Sequence, residues 1–280
     1  MKSLTFGQAS VSPVVVLHMT RIAFAALFAV VIAELSLAGG FLTTGGAIVQ
    51  CVMASVLFGL GGWQYIAPIA IFFVLSSLLS GIRTRTKREA ERLSAKGSRR
   101  DAKRVLANGG TATITVVIGS FAARESLYIA YLDAVAAATA DTWGTEVGSM
   151  GTKLPYLITA GLRVPPGTSG AVSIQGSFAG LIGTAAIWFS GVSWIAADQH
   201  WNTLIAVSIG GLAGSFSDSL LGSTLQAGFR CSICQITLEQ EHNCGIPCVI
   251  IRGIRAVNND VVNASCTIVG AIVPGLLYSI

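Results

Sequence analysis

The sequence predicts an all-α, polytopic integral membrane fold. Three observations carry that prediction: scarce charge, apolar runs of spanning length, and basic residues gathered on alternate connections. Only 11% of the 280 residues are charged, against about 25% in a soluble domain. Hydrophobic residues make up 52%, and mean hydropathy is +0.70. A bilayer core requires about 20 mostly apolar residues per helix. Eight runs answer to that length, near residues 20–40, 45–63, 65–82, 108–123, 126–142, 172–192, 202–222 and 261–279. Residues 1–280 therefore read as one helical membrane domain with about eight transmembrane helices.

The first run exceeds the 7–15 apolar residues of a signal-peptide core and reads as a span. The fourth and fifth are short and joined through Arg124-Glu125, which predicts a helical hairpin. In the last three, Gly176-x-x-x-Gly180 and Gly210-x-x-x-Gly214 read as small-residue helix contacts, and Ala136–Ala140 lets span five be approached closely. Glu34 in span one reads as a water-accessible structural acid or a cavity-facing one.

Orientation follows from the cations. Residues 83–106 form a basic loop holding Arg83, Arg85, Lys87, Arg88, Arg92, Lys96, Arg99, Arg100, Lys103 and Arg104, ten of the 18 Lys and Arg. The positive-inside rule makes this loop cytoplasmic. Alternation then puts Lys153, Arg163, Arg230, Arg252 and Arg255 on the same side, leaving only Lys2, Arg21 and Arg124 elsewhere. Topology and attraction to anionic lipid head groups account for most of this charge. Direct nucleotide contact is best placed at Arg99, Arg100 and Lys103, and no nucleic-acid partner is expected.

Under that topology five polar clusters fall on the cytoplasmic side: Asn108-Gly109-Gly110, Asp141–Glu146, residues 164–170, Ser217-Asp218-Ser219 and Asn258-Asn259-Asp260. An acid at a membrane edge costs about 2.5–3.5 kcal/mol on insertion scales unless a cation or polar partner meets it. Asp141 stands i,i+4 to Thr145, as Thr142 does to Glu146, so a continuing helix stacks acid with hydroxyl. Asp141, Glu146 and Asp218 therefore read as ligands for Mg²⁺, which takes one or two carboxylates plus phosphate and water oxygens. The competing reading pairs each acid with a nearby Lys or Arg. Gly167, Thr168, Ser169 and Gly170 lead into span six after Pro165-Pro166, and read either as a phosphate cradle at a helix start or as an ordinary loop with a capping hydroxyl. Asn108, Asn259 and Asp260 read as phosphate contacts or N-caps, and Lys153 or Arg163 as a neutralising charge or a plain inside-positive residue.

The three histidines, His18, His200 and His242, all lie away from these acids. The chain carries no Gly-x-Ser-x-Gly, no phosphate-binding Walker loop and no His-Glu-x-x-His, which removes support for acyl hydrolysis, P-loop chemistry and zinc proteolysis. Phosphoryl transfer to a phosphate acceptor needs metal, cations and positioning but no general base, and the residue inventory suits it.

The cysteine-containing cytoplasmic loop, residues 223–258, holds Cys231-x-x-Cys234, His242-x-Cys244 and Cys248. Cys231, Cys234 and Cys244 with His242 or Cys248 would give Zn²⁺ four tetrahedral ligands. Unliganded thiols and a redox pair are the alternatives. Cys51 and Cys266 read as small buried side chains in apolar spans.

Taken in order, 72–77, 99–102, 105–110, 138–148, 166–173, 217–222 and 258–263 resemble the membrane family called domain of unknown function 92, which includes the phytyl phosphate kinases of plants and cyanobacteria. The likeness runs from about residue 40 to the C-terminus. It is carried most strongly by Ala140-Asp141-Thr142-Trp143-Gly144-Thr145-Glu146 and Pro166-Gly167-Thr168-Ser169-Gly170. Residues around Asp141 and at Gln175-Gly176-Ser177 are also distantly similar to dolichol kinases and lipid cytidylyltransferases. The resemblance implies a CTP- and Mg²⁺-dependent kinase that converts an isoprenyl monophosphate, such as phytyl phosphate, to the diphosphate at the cytoplasmic membrane face. The pattern departs at His242-Asn243-Cys244, where relatives place His and Cys adjacent. A lipid cytidylyltransferase using CTP, or a carrier or scaffold without catalysis, are the alternative classes.

Overall fold

A computed structural model of the chain describes residues 13–91, 93, 99–122 and 125–278. The expectations placed on Lys2, Arg92, Lys96 and Arg124, and on the side chains of His18 and Arg21, lie outside the described residues. Eight long helices occupy the expected runs: α1 (Pro13–Ala38), α2 (Thr44–Val56, continued by a π-helical turn Leu57–Gly61), α3 (Trp63–Gly81), α5 (Ala102–Phe121), α6 (Glu125–Met150), α7 (Ile174–Gly191), α8 (His200–Thr224) and α9 (Asn259–Tyr278). A short α4 (Arg85–Glu91) forms inside the basic loop.

Among the described residues, four segments are by length and composition able to cross a membrane on their own: Thr44–Gly61, Trp63–Gly81, Ile174–Trp194 and Ala197–Thr224. The count of eight crossings is not established by that criterion. α6, for instance, carries Glu125, Asp133, Asp141 and Glu146, and the first turn of α5 carries Lys103 and Arg104. The outward faces are nonetheless apolar well beyond those four segments: Phe24, Leu27 and Leu35 on α1, Ile114 and Ile118 on α5, and Ile268 and Ile272 on α9 are all exposed. An apolar surface of that extent suits lipid and not water.

The core is organised around α6, which packs on α3, α5, α7, α8 and α9. Its residues from Tyr131 to Ala140 are all buried. The Ala136–Ala140 run explains this, because small side chains let several backbones approach at once. A Cβ on Gly176 would stand 2.5 Å from the Gly144 carbonyl oxygen, and one on Gly214 would stand 2.6 Å from the Cys266 carbonyl oxygen. Both small-residue motifs therefore serve as the expected helix contacts. At the opposite end Tyr131 donates its hydroxyl hydrogen to the Tyr65 carbonyl, and Tyr65, Tyr128 and Tyr131 form an aromatic cluster with edge-on contacts at 4.9 and 5.3 Å.

Helix boundaries differ from the sequence reading, beginning with α1, which starts at Pro13 and not near residue 20. α6 does not stop near residue 142 but runs two turns further to Met150, so Asp141–Glu146 lies within a helix and not at its close. α5 starts at Ala102, capped by Asp101, whose carboxylate accepts from the Arg104 amide at 2.9 Å. Asn108 is thus an interior residue and no N-cap. α7 is capped by Ser173, whose Oγ accepts from the Gly176 amide at 3.1 Å.

Short strands occupy two loops. β1 (Tyr156–Leu157) and β2 (Ala171–Val172) pair antiparallel between α6 and α7. Between α8 and α9, β3 (Gly228–Arg230) sits between β4 (Thr237–Leu238) and β7 (Val249–Arg252), while β5 (His242–Asn243) and β6 (Ile246–Pro247) form a hairpin. Ala227, Phe229, Cys231, Leu238 and Cys248 give this loop a small core of its own.

Candidate functional site

A cavity of about 250 Å³ lies at the end of the bundle that carries the basic loop. It is lined by the C-terminal parts of α3, α6 and α8 and by the N-terminal parts of α5, α7 and α9. Three helix N-termini facing one space favour an anion there, because their dipoles present positive partial charge. All five polar clusters of the sequence reach this space. Asp141, Glu146, Asp218, Asn108, Gly167, Thr168, Ser169, Gly170 and Asn259 line it, as do Thr142 and Thr145.

Other expected contacts do not: Arg99 donates to the Leu42 carbonyl at 3.2 and 2.8 Å and Lys103 is exposed, and neither lines the cavity. Lys153 is exposed on the loop after α6 and takes no part in the lining. Asp260 is also outside the lining, since Asn258 caps α9 by accepting from the Asp260 and Val261 amides at 3.0 and 3.1 Å and turns the chain so that Asn259 and Asn263 face inward. Arg163, the alternative to Lys153, lies over the Tyr156 ring at 5.6 Å. Glu34 is exposed on α1 and takes no part in the lining.

The cations that reach the cavity are instead Lys87, Arg100 and Arg104. Lys87 is buried, with its ammonium donating to the carbonyls of Leu79, Ser80 and Ile82 at 2.9, 2.9 and 3.0 Å and meeting Glu146 Oε2 at 2.6 Å. It closes the C-terminal end of α3, where carbonyls lack helical partners. Ser80 Oγ donates to the other Glu146 oxygen. Glu146 therefore enters the site with both oxygens engaged by protein.

Arg100 is fixed through its backbone to the α1–α2 turn, its amide donating to Phe41 and its carbonyl accepting from Thr43. Its guanidinium lies over the Phe72 and Phe73 rings at 5.6 and 5.5 Å, donates to Ser77 Oγ at 3.3 Å, and leaves Nη2 buried without a hydrogen-bond acceptor. Burial, with a smaller push from Arg104, pulls it down to about 10, while the Glu146 charge acts the other way. It stays charged at neutral pH. Arg104 and Asn108, one turn apart on α5, continue into Thr111, whose hydroxyl meets that of Thr267 at 2.8 Å. That polar stripe at helical spacing is visible in the sequence and is the signal from which Arg104 could have been singled out.

Asp141 and Asp218 come from α6 and α8, both half-buried. Asp218 Oδ2 is buried and has no hydrogen-bond partner. A fourth carboxylate, absent from the sequence reading, arrives from the cysteine loop: Glu239 Oε1 accepts from Ser169 Oγ at 2.8 Å and from Gln226 Nε2 at 2.7 Å. Among the described residues, Asp141, Glu146 and Asp218 do not form a set of ligand atoms all within 4.8 Å of one another. A cation held here would take one or two of these carboxylates and complete its shell from ligand oxygens and water, which is the usual manner of Mg²⁺.

The 167–170 segment is set by packing as well as by any ligand. Gly167 and Gly170 have φ of +87° and +81°, and a Cβ at Gly170 would stand 2.4 Å from Ser223 Cβ. β2 and Ser173 separate this turn from α7, so it is not the helix start that the sequence suggested; that place is taken by Ser173, Gly176 and Ser177, which also line the cavity. Leu212 and Phe216 supply an apolar edge, and Phe216 is also exposed on the outer surface of α8. The cavity thus joins a polar floor to the lipid-facing side of the bundle.

In the cysteine loop the sulfurs of Cys231, Cys234 and Cys244 lie within 4.8 Å of one another. His242 is exposed on β5 and stands outside that set, whereas Cys248 is buried in the same small core as Cys231.

The model of the family Integral membrane protein DUF92 matches residues 27–271. An uncharacterized membrane protein of Methanocaldococcus jannaschii is 30% identical over 233 residues, covering 83% of this chain and 84% of that protein. Protein PGR of Arabidopsis thaliana is 27% identical over 236 residues, covering 76% and 82%. Chloroplastic protein VTE6 of Arabidopsis thaliana is 22% identical over 250 residues, covering 85% and 67%. No solved structure matches the chain.

Proposed function

The chain belongs to the DUF92 family of integral membrane proteins, and from that membership and the cavity chemistry we propose that it is a CTP-dependent kinase acting on an isoprenyl monophosphate. All eight long helices cross the bilayer in this reading, and the cavity opens to the cytoplasm, the side to which the positive-inside rule assigns the neighbouring basic loop. The observation that carries it is one cavity joining Asp141, Asp218 and Glu239 to Lys87, Arg100 and Arg104 beside an apolar, lipid-facing edge. A soluble triphosphate and a membrane-embedded phosphate acceptor both find their chemistry there.

The buried Asp218 Oδ2 without a partner suits a divalent cation, and Asp141 and Asp218 are the residues that would hold Mg²⁺. When bound, it supplies charge neutralisation on the triphosphate and orients it. An oxygen of the acceptor phosphate attacks the γ-phosphorus of CTP, the bond from that phosphorus to the β-phosphate oxygen breaks, and CDP leaves. Arg100 and Arg104, with the α5, α7 and α9 N-termini, neutralise charge on the transferring group, and Lys87 adds to that field while its Glu146 pair fixes its place. The prenyl chain passes Leu212 and Phe216 into the hydrocarbon.

Purified protein given phytyl phosphate and CTP labelled at the γ position tests this directly. Label in the lipid diphosphate is the expected result. Label in released pyrophosphate identifies a cytidylyltransferase, and absence of CTP consumption across prenyl phosphates of graded length removes the enzyme reading.

A further inference from the structure

We propose that the loop between α8 and α9 is folded by a tetrathiolate metal centre, with Cys231, Cys234, Cys244 and Cys248 as ligands and Zn²⁺ as the resident ion, and that this centre holds Glu239 in the cavity wall. The metal assignment rests on the loop alone and stands whatever the cavity binds.

Two turns deliver the sulfurs. In the first, Gln235 takes a left-handed φ of 60° and its amide donates to the Cys231 carbonyl at 2.9 Å, so the chain folds back between Cys231 and Cys234. The Cys231 sulfur lies 3.8 Å from the carbonyl oxygen of Asn243 on β5. In the second, Cys244 and Gly245 take φ of 50° and 77° at the tip of the β5–β6 hairpin and swing the Cys244 sulfur to within 4.8 Å of the other two. Asn243 Nδ2 donates to Cys234 Sγ at 3.2 Å. N–H donors to the sulfurs of paired turns stabilise thiolate, the form that binds metal.

Cys248 is the fourth ligand. Its sulfur lies outside the set within 4.8 Å, but it follows β6 directly and is buried in the same small core as Cys231. His242, also outside that set, lies one residue before the hairpin turn's Asn243 and is exposed, so burial and not distance separates the two candidates. Cys231, Cys234 and Cys244 are free thiols with their sulfurs within 4.8 Å of one another. Thiols packed this closely resist sharing negative charge unless a cation sits among them. A soft divalent cation with tetrahedral preference answers that need.

The loop has little else to fold it. Its strands are two to four residues long, and its core consists of three apolar residues and the cysteines themselves. Such a unit is too small to order itself by burial alone, as is general for small domains without a metal or disulfide. Glu239 follows β4 immediately, its amide donating to the Leu93 carbonyl at 3.0 Å and its carboxylate joining Ser169 to Gln226. Ordering the loop therefore orders one wall of the cavity.

The test uses the full chain purified in detergent without a histidine tag. Elemental analysis is expected to find one zinc per chain, and exchange for Co²⁺ is expected to give thiolate-to-metal charge transfer with the spectrum of a tetrahedral four-sulfur site. Cys231→Ser and Cys248→Ser should lose the metal, and His242→Ala should keep both stoichiometry and spectrum. Because a cysteine variant can fail to fold, the wild-type protein is also treated with a strong chelator. Cysteine alkylation and amide exchange across residues 226–252 should both rise. Absence of bound metal in protein purified with zinc present, or no change in alkylation on chelation, overturns the centre. Loss of metal in His242→Ala overturns the assignment of the fourth ligand. Unchanged amide exchange at residues 237–241 on chelation overturns the link to Glu239.

Discussion

Lys87 and Glu146 meet at 2.6 Å with side chains only 5% and 18% exposed, a pair formed between the short helix of the basic loop and the last turns of α6. The contact ties α4 beneath the cavity and explains how a loop cation becomes part of its floor. Removing one member leaves the other charge with little water. Lys87→Met should therefore destabilise the protein by about 3–5 kcal/mol, the scale for breaking a buried pair. Lys87→Met combined with Glu146→Gln should recover part of that loss. Thermal unfolding in detergent checks both, and additivity of the two single losses would show that the pair does not act as a unit.

Asp141→Asn and Asp218→Asn should abolish phosphoryl transfer while leaving the fold intact. The reasoning is sharpest at Asp218, whose Oδ2 is buried and lacks a hydrogen-bond donor. A neutral amide there relieves the cost of a buried charge instead of adding to it, so the Asp218→Asn unfolding midpoint should be at least that of the parent. Turnover retained in either variant would remove the metal-holding role of that residue.

The placement of the long helices was legible because apolar length is read residue by residue, and the polar clusters that line the cavity were legible as breaks at or near the ends of those runs. What the sequence hid depends on tertiary contact. Lys87 sat among ten basic residues of one loop, and only the return of α4 under α6 singles it out. α6 continues past Asp141 because Gly144 and Gly148 face α7 at Gly176 and Ser173, so packing overrides the polar signal that suggested a helix end. Asn108 reads as a cap only if Asp101, seven residues earlier, is overlooked. Glu239 was hidden because strands of two residues carry no periodicity, so nothing in the pattern shows the cysteine loop folding back against Ser169.

Gly176→Ala tests how closely α6 and α7 must approach. The new Cβ would stand 2.5 Å from the Gly144 carbonyl oxygen, a backbone atom in a helix with nowhere to move. Overpacking of this kind costs about 1–3 kcal/mol. Because Gly176 also lines the cavity, activity should fall together with the unfolding midpoint. Gly81→Ala is the control, since a Cβ there has nothing within 4 Å, and its unfolding midpoint should stay close to that of the parent.

Arg100→Met separates charge from packing. Methionine keeps apolar volume between Phe72 and Phe73 and removes a buried guanidinium whose Nη2 has no acceptor in the protein. If that nitrogen serves phosphate, the variant forfeits a charged hydrogen bond worth about 1.5–3 kcal/mol, or at least about tenfold in affinity. Folding loses the Ser77 contact and gains relief from desolvation, so the unfolding midpoint should shift little. Titration of CTP and of inorganic pyrophosphate into wild type and variant reads the first effect, and a thermal melt reads the second. Equal affinity in the two proteins would place the phosphates elsewhere in the cavity and leave Arg100 as a structural brace between the α1–α2 turn and α3.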